Sequence, residues 1–475
     1  MSDPLFESAG SLAAAMRSGK LAAVDLMSAC FDRIEQVNPR LNAIVNLLPR
    51  ERALELARGA DRAQARGDRL GPLHGLPMAP KDSVAVAGFP TTFGFAPFRD
   101  QVAAEDDPVA ARERAAGALF IGKTNMPELG LGSHTFNALF GLTANPFAPE
   151  RSAGGSSGGA AVALATGMTP LADGNDMGGS LRNPASFCNV VGMRPSIGRV
   201  PDHSPMGWLA RLATPGPMAR SVADAALLLS VQAGHYRPDP LSLGQPGHAF
   251  AGTLGRRTQG LRIAWTPDLG GLVPVEDAVV DVIERAVGVF RDLGCAVEQA
   301  CPDLGDAMDV FQVQRAAALA VFGRTLERSV PAWREHARDT MIWNIERGFA
   351  LTARELLDAE VTRTDIYRRA IDFFERYDAL LLPAAQVAPF PAHFDWVREI
   401  QGQAMPTYID WMTVCCAISV TGLPALSVPA GFTAAGLPVG LQMVGGPHDD
   451  LGVLQLAHEF EQVTLHARRH PDLVL

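Results

Sequence analysis

Two clusters of glycine and serine stand out as groups that could carry chemistry. The first spans Gly154–Gly159 and contains Ser156 and Ser157, and the second spans Gly174–Arg182 and contains Ser180. Glycine lets the backbone approach a ligand closely, and backbone N–H groups ahead of a helix bind anions. The oxyanion of an acyl-transfer reaction needs such donors, and a serine hydroxyl becomes a nucleophile once a base takes its proton. Taken singly, either cluster could equally be a flexible loop.

A lysine is the candidate for that base. Lys81 lies in the largely apolar segment Leu76–Asp82, and His134 is the one histidine that stands near either cluster in sequence. Most lysines lie on the surface with the amino group in water. A buried lysine loses its proton more easily and can then act as a base. Lys81 is therefore worth considering for this role if the fold buries it.

Together these three segments resemble the core of the amidase signature family. The resemblance rests on Lys81, the Gly-Gly-Ser-Ser-Gly-Gly run and the Asp-x-Gly-Gly-Ser-x-Arg run, in that order and at family-like spacing. It continues in four further segments, which are Gly122–Met126, Gly192–Arg199, Gly422–Gly431 and Gly436–Gln442. The likeness therefore extends from about residue 20 to about residue 462. Several motifs in the right order are a stronger signal than one glycine-rich loop.

The resemblance implies a hydrolase that cleaves a carboxamide, or a related carbamate or ester, without a metal or an organic cofactor. Ser180 would form the acyl-enzyme, and Ser156 would pass the Ser180 proton to a neutral Lys81. The peptide bond between Gly155 and Ser156 would be cis, so that Ser156 reaches both partners. The oxyanion would be bound by the backbone N–H groups of Met177, Gly178, Gly179 and Ser180.

Two charged residues next to these donors, Asp176 and Arg182, would hold the loop in shape. Their alternative interpretation is an ordinary surface ion pair, which is common and weak. The sequence departs from the commonest family pattern at Met177, where many relatives have threonine. A backbone donor survives this change, so it affects the shape of the pocket rather than the chemistry. The resemblance also implies an α/β fold, with a large mixed and twisted β-sheet surrounded by helices.

Other interpretations of the serines are weaker. Gly154–Gly158 formally matches the G-x-S-x-G motif of α/β-hydrolases, but that motif should follow a buried strand, and the preceding Asn145–Arg151 is no strand. The chain could instead be the glutaminase-like subunit of a tRNA-dependent amidotransferase complex, or a silent binding relative, because a family fixes the fold better than the function. Neither glycine cluster has the pattern of a nucleotide-binding loop.

Composition narrows the class of protein. The chain has 475 residues and a net charge of −10, and it shows no basic stripe, so no nucleic acid partner is expected. The spacing of its six cysteines fits neither a zinc site nor a disulfide framework, which predicts buried free thiols. No secretory signal and no apolar run long enough for a membrane span is visible, so we expect a cytoplasmic protein without membrane contact. A homodimer stays open.

The helices and strands predicted along the chain indicate one domain over residues 1–475, with a helical N-terminal part over residues 1–66. A helix over Val24–Val37 should end at Asn38-Pro39. From Leu70 onwards, short apolar runs alternate with helical stretches, which is typical of a layered α/β core.

The later part of the chain repeats this texture. Apolar residues at helical spacing predict a helix over Glu276–Leu293, between strands at Leu261–Trp265 and Ala296–Ala300. Thr352 and Glu355 have capping-box spacing and should open another long helix.

The substrate is predicted to be neutral and fairly apolar, because apolar residues surround the motifs: Met126, Leu131, Phe136, Met177 and Phe187. Five aromatic residues could line an apolar pocket, although aromatic residues more often belong to the core. They are Trp208, Phe311, Phe322, Trp343 and Trp411.

Overall fold

A mixed β-sheet of eight strands forms the centre of the computed structural model, which describes residues 4–209, 211–252 and 254–472. In order across the sheet, the strands are Ala296–Gln299, Arg262–Trp265, Ala379–Pro383, Pro438–Val444, Ala425–Phe432, Val191–Arg194, Thr214–Ala219 and Leu171–Asp176. The first three run parallel to one another, and every later pair of neighbours is antiparallel. The predicted mixed sheet surrounded by helices is therefore confirmed.

Thirteen α-helices lie in the described residues. They are α1 Ala9–Arg17, α2 Ala23–Leu41, α3 Arg50–Ala65, α4 Pro108–Ala115, α5 Gly158–Ala165, α6 Arg182–Phe187, α7 Val222–Gln232, α8 Asp277–Asp292, α9 Ala307–Ser329, α10 Asp339–Phe349, α11 Ala353–Phe374, α12 Thr413–Thr421 and α13 Asp450–Thr464. Four small antiparallel or parallel pairs of two-residue strands complete the fold. They are Ile44–Val45 with Lys123–Thr124, Pro77–Met78 with Leu119–Phe120, Phe136–Asn137 with Gly141–Leu142, and Glu399–Ile400 with Gln403–Ala404.

Most of the predicted local signals hold in the structure. The capping box at the start of α11 is formed, because Thr352 accepts the Glu355 N–H and Glu355 accepts the Thr352 N–H. Helix α8 buries the predicted face against the sheet. The predicted end of α2 is wrong, since the helix continues through Pro39 to Leu41. It ends instead at Asn42, which adopts a left-handed conformation.

The two helices that follow the serine clusters are completely buried. All residues of α5 and all residues of α6 are buried, and both helices pack on the central sheet. Small residues make this close approach feasible at the start of α5. A Cβ added at Gly159 would lie 2.4 Å from the backbone nitrogen of Asn125. The serine clusters are therefore anchored in the core.

All six cysteines are free, and five of them are buried, as the sequence predicts. Cys301 is the exception, because it is only half-buried. No helix among the described residues has the length and the apolar character that a membrane crossing requires.

Candidate active site

Lys81 lies at the centre of the candidate site and is completely buried. It follows the short strand Pro77–Met78, and its backbone N–H donates to Asp173 Oδ1 at 2.8 Å. Its Nζ atom lies 2.7 Å from Ser156 Oγ, 2.9 Å from Ser157 Oγ and 2.7 Å from Asn175 Oδ1. The fold therefore brings the predicted base into hydrogen-bond contact with the predicted proton relay.

Burial also prepares this amine to act as a base. Loss of hydration lowers the pKa of Lys81 to about 7, although the nearby charges of Asp173 and Asp176 oppose the shift. A neutral amine has two N–H donors and one lone pair. Because the carbonyl oxygen of Asn175 can only accept, a neutral Lys81 can donate to Asn175 and Ser157 and still accept the Ser156 proton.

Further buried charged groups surround Lys81. Lys123 donates to the Val84 carbonyl, and Asp82 accepts the Gly94 N–H at 3.1 Å. Burial lowers the pKa of Lys123 to about 8 and raises the pKa of Asp173 to about 6. Burial and the neighbouring Asp173 also raise the pKa of Glu113. Asp173 connects these groups, since it acts on the pKa of Lys81 and interacts with Lys123 and Glu113 as well.

Ser156 is held in place by the contacts of the two glycines that precede it. The Gly155–Ser156 peptide bond is cis, as predicted. The Gly155 carbonyl accepts the Ser133 hydroxyl at 2.5 Å, and Ser133 in turn accepts from Asn183 Nδ2 at 3.0 Å. A Cβ added at Gly154, whose φ is +73°, would lie 2.9 Å from Pro184 Cα. These contacts leave little freedom for the turn that carries Ser156.

Ser180 lies beside this turn and is half-buried. Its backbone carbonyl accepts the Ser157 N–H at 3.2 Å, which joins the two serine clusters. The Ser180 hydroxyl makes no hydrogen bond with any residue in the described part of the chain. The structure thus links Lys81 to Ser156 and Ser180 to the adjacent Ser157, without a hydrogen bond between Ser156 and Ser180.

The loop ahead of Ser180 presents backbone donors, but not all of those predicted. The Gly179 N–H donates to Asp176 Oδ1 at 2.7 Å, so its single hydrogen is already in use. Gly179 must therefore be removed from the predicted oxyanion donors. The N–H groups of Met177, Gly178 and Ser180 have no acceptor among the described residues, and they stay available for an oxyanion.

Asp176 and Arg182 form a buried ion pair rather than a surface one. Both side chains are fully buried, with Arg182 Nη2 2.8 Å from Asp176 Oδ1 and Arg182 Nε 3.0 Å from Oδ2. The carboxylate also accepts the N–H groups of Gly179 and Leu181. Burial alone would raise the pKa of Asp176, but Arg182 and Arg194 hold it well below its usual range. The pair therefore fixes the shape of the loop between residues 176 and 181.

Arg182 extends this support to distant parts of the chain. Its Nη1 donates to Gln442 Oε1 at 2.5 Å and to the Cys415 carbonyl at 3.2 Å, and its Nη2 donates to Ser419 Oγ at 2.7 Å. The loop is thus tied both to the central sheet and to α12.

Several residues that contact the site were not predicted from the sequence. Asp173 and Asn175 contact Lys81 from the strand Leu171–Asp176. They are two positions apart, and residues at that spacing share one face of a strand, which is a signal the sequence contains. Ser157 also contacts Lys81, within a motif that drew attention only to Ser156.

The aromatic residues that the sequence suggests for an apolar pocket lie in different environments. Phe311 lies against the oxyanion loop, since its Cζ would be 2.8 Å from a Cβ added at Gly178. Trp411 is buried and stacks near Phe187, whereas Trp208 is 80% exposed.

His134, the histidine near the clusters, does not serve Ser156 or Ser180. Its Nδ1 pairs with Ser152 Oγ at 2.7 Å and its Nε2 with the Ala392 carbonyl at 3.0 Å. Burial lowers its pKa to about 4. This placement argues against the α/β-hydrolase interpretation. No cluster of His, Cys, Asp and Glu suited to a metal ion occurs in the described residues.

Comparison with known proteins agrees with this geometry. The family model "Amidase" matches residues 25–454. An acylamidase of Rhodococcus erythropolis is 37% identical, over 98% of this chain and 97% of its own length. A glutamyl-tRNA(Gln) amidotransferase subunit from Moorella thermoacetica is 36% identical, over 96% of each chain.

A solved structure has a closely similar fold. A bacterial aryl acylamidase of the amidase signature family superposes with a TM-score of 0.92, at 30% identity, over 98% of this chain and 99% of its own. From its sequence, its fold and the residues gathered around Lys81, the chain belongs to the amidase signature family.

Proposed function

We propose that the chain hydrolyses linear carboxamides, with carbamates and esters as further substrates, through an acyl-enzyme on Ser180. The observation that carries the proposal is the buried contact between Lys81 Nζ and Ser156 Oγ at 2.7 Å. A lysine with a pKa of about 7 is neutral often enough at physiological pH to accept a proton. The partly exposed Ser180 beside it is the serine that a substrate can reach.

The first half-reaction forms the acyl-enzyme. Ser180 Oγ attacks the carbonyl carbon while its proton passes to Ser156, and the Ser156 proton passes to Lys81 Nζ. The carbonyl oxygen becomes an oxyanion and accepts hydrogen bonds from the N–H groups of Met177, Gly178 and Ser180. Protonated Lys81 returns the proton through Ser156 to the leaving nitrogen, and the C–N bond breaks to release the amine.

The second half-reaction restores the enzyme. A water molecule attacks the ester carbon of acyl-Ser180, and the same relay takes one of its protons. The tetrahedral intermediate collapses, Ser180 recovers its proton and the carboxylic acid leaves. The relay needs a hydrogen bond between Ser156 and Ser180, which would form with substrate in place, as catalytic contacts often tighten in the substrate complex.

A fluorophosphonate probe tests the assignment of the nucleophile. Tryptic mass spectrometry should locate the adduct on Ser180, and Ser180→Ala should prevent labelling. Lys81→Ala should also prevent it, because the base is lost, whereas Lys20→Ala removes an exposed lysine and serves as the matched control. An adduct on Ser156 or Ser157 with Ser180 unmodified would contradict the proposal. Rates on amides, carbamates and esters then establish the reaction.

One observation favours a second function, that of the glutaminase-like subunit of an amidotransferase complex. The relative from Moorella thermoacetica is nearly as similar as the acylamidase, at 36% against 37% identity. Such a protein would hydrolyse glutamine and would purify with smaller partner chains. Full activity of the isolated chain on simple amides, without release of ammonia from glutamine, would exclude this function.

A further inference from the structure

Helix α9 carries two residues that lie beside the candidate active site. Phe311 and Arg315 are four positions apart, so they share one face of the helix. The Phe311 ring covers Gly178, where an added Cβ would meet its Cζ at 2.8 Å. Cys416 completes this contact, since its sulfur lies 3.5 Å from the Gly178 carbonyl oxygen. The face of α9 that bears Arg315 therefore borders the loop with the oxyanion donors.

Tyr408 connects Arg315 to the opposite side of the site. Arg315 Nη1 donates to Tyr408 Oη at 2.9 Å. A Cβ added at Gly132 would lie 3.3 Å from the Tyr408 ring, and one added at Gly130 would lie 3.4 Å from Ser156 Oγ. Through Tyr408, Arg315 thus contacts the segment that contains Gly130 and Gly132, and Gly130 lies against Ser156.

The Arg315 guanidinium is buried without a carboxylate. The residue is 4% exposed, and its partners are the neutral oxygens of Gln312, Asn344 and Tyr408. No carboxylate of the described residues forms an ion pair with it within 4.0 Å. A buried charge without a counter-ion is costly unless a ligand supplies one.

Three other buried arginines of the chain have a carboxylate as a close partner. Arg182, Arg199 and Arg211 each form an ion pair with an aspartate at 2.5–2.9 Å. Arg315 lacks such a partner, although it is about as deeply buried.

Two donors of Arg315 remain without an acceptor. Nε has no hydrogen-bond partner among the described residues, and Nη2 uses one of its two hydrogens on Gln312 Oε1, at 2.5 Å. Nε and Nη2 lie on the same edge of the planar guanidinium. This edge matches the two oxygens of a carboxylate, which makes the pairing both strong and selective.

We propose that Arg315 binds a carboxylate of the substrate, so that the chain prefers amides that carry an acidic group a few bonds from the scissile carbonyl. The inference rests on the proposed amidase function and names its substrate class. It departs from the neutral, apolar substrate that the sequence predicts, because nothing in the sequence places α9 beside Gly178.

Isosteric pairs of p-nitroanilides test this preference. In two pairs the acyl group differs: one member has a succinyl or glutaryl group with a free carboxylate, and the other has the corresponding terminal carboxamide. In the third pair, the carboxylate or the carboxamide is on the leaving aryl ring. In at least one pair, kcat/KM of the wild-type chain should favour the carboxylate by about ten- to a hundredfold, the range of a hydrogen bond to a charged group.

Variants assign the preference to a residue. Arg315→Met should reduce the ratio of the two kcat/KM values to about one, and Arg315→Lys should retain part of it because the charge remains. Arg324→Met removes an exposed arginine of the same helix and should leave the ratio unchanged. Because each ratio is measured on one preparation, partial misfolding of a variant lowers both rates and cancels.

Three results would overturn the inference. The first is equal rates for both members of every pair in the wild-type chain, which would leave the proposed amidase function intact. The second is a preference that Arg315→Met does not change. The third is a preference lost only in Arg338→Met, which removes the arginine stacked on Phe136 at 4.1 Å. A wild-type chain that cleaves none of these amides would overturn the proposed function itself, and this inference with it.

Discussion

Replacing Asp173 by asparagine should shift the acid limb of the pH profile of amide hydrolysis to lower pH. Asp173 Oδ1 accepts the Lys81 backbone N–H at 2.8 Å, and asparagine retains an oxygen acceptor there. The substitution removes a negative charge that favours protonated Lys81. The pKa of Lys81 should therefore fall further below its ordinary value, and the base should stay neutral in more acidic solution.

The size of the effect follows from the two pKa values. Burial lowers the pKa of Lys81 to about 7, so about half of the lysine is neutral at pH 7, about a tenth at pH 6 and about a hundredth at pH 5. If the substitution lowers this midpoint by about one pH unit, the rate at pH 6 should rise about fivefold.

The difference should depend on pH in a particular way. Burial raises the pKa of Asp173 to about 6, so the wild-type carboxylate is itself half-protonated there and its influence fades in more acidic solution. Above about pH 8, Lys81 is neutral in both proteins and the profiles should converge. The largest gain is therefore expected between about pH 6 and pH 7.

The assay is the initial rate of hydrolysis of a non-ionising amide from about pH 5 to pH 9, with thermal unfolding as a check on the fold. Asp25→Asn removes an exposed aspartate of α2 and should leave the profile unchanged. A folded Asp173→Asn protein whose acid limb stays in place, or moves to higher pH, would refute the electrostatic argument.

Three further changes have expected outcomes. Lys81→Ala should reduce kcat/KM on the order of 10³-fold or more, as loss of a triad member does. The control variant Lys20→Ala, at an exposed site, should keep its activity. An active Lys81→Ala protein would remove the lysine from the mechanism. Asp176→Asn should lower the free energy of unfolding by about 3–5 kcal/mol, because buried Arg182 loses its counter-ion. Urea unfolding measures this free energy, and a change below about 1 kcal/mol would contradict the structural role of the ion pair. Prolonged dialysis against a chelator should not change the rate, and activity that zinc restores would contradict a metal-free site.

The sequence predicts the candidate site best where the residues are close together in the chain. Residues 177 to 181 form the loop between a strand and α6, so their types alone indicate backbone donors ahead of a helix. The Gly179 N–H is the exception, because it donates to Asp176. The contact of Lys81 with Ser156 joins residues 75 positions apart. No local pattern specifies such a contact, and only the resemblance to a family predicts it.

Local helix signals were equally sound, and the failures have physical causes. The capping box of Thr352 and Glu355 is a contact between neighbours, so the sequence alone predicts it. Proline usually ends a helix, but α2 continues through Pro39 to Leu41, and Asn38, in its last turn, accepts the N–H groups of Ala43 and Ile44 just beyond the helix end.

Helix α9 shows why the substrate side of the site escaped prediction. It buries Ala316, Ala317 and Leu319 on more than one face, because α10, α11 and α12 all pack against it. A helix covered on several faces lacks the single apolar stripe that sequence analysis seeks. The partners of Arg315 at residues 344 and 408 are also distant in the chain.

The geometry of the oxyanion loop connects its stability to its chemistry. Asp176 accepts the N–H groups of Gly179 and Leu181, and thereby turns the intervening backbone so that Met177, Gly178 and Ser180 keep theirs free. A carboxylate can hold two such donors in the interior only while Arg182 neutralises it. The ion pair and the anion site are therefore parts of one arrangement, because the two hydrogen bonds that Asp176 accepts also orient the backbone donors. A substitution that weakens the ion pair should disturb these donors before it unfolds the chain.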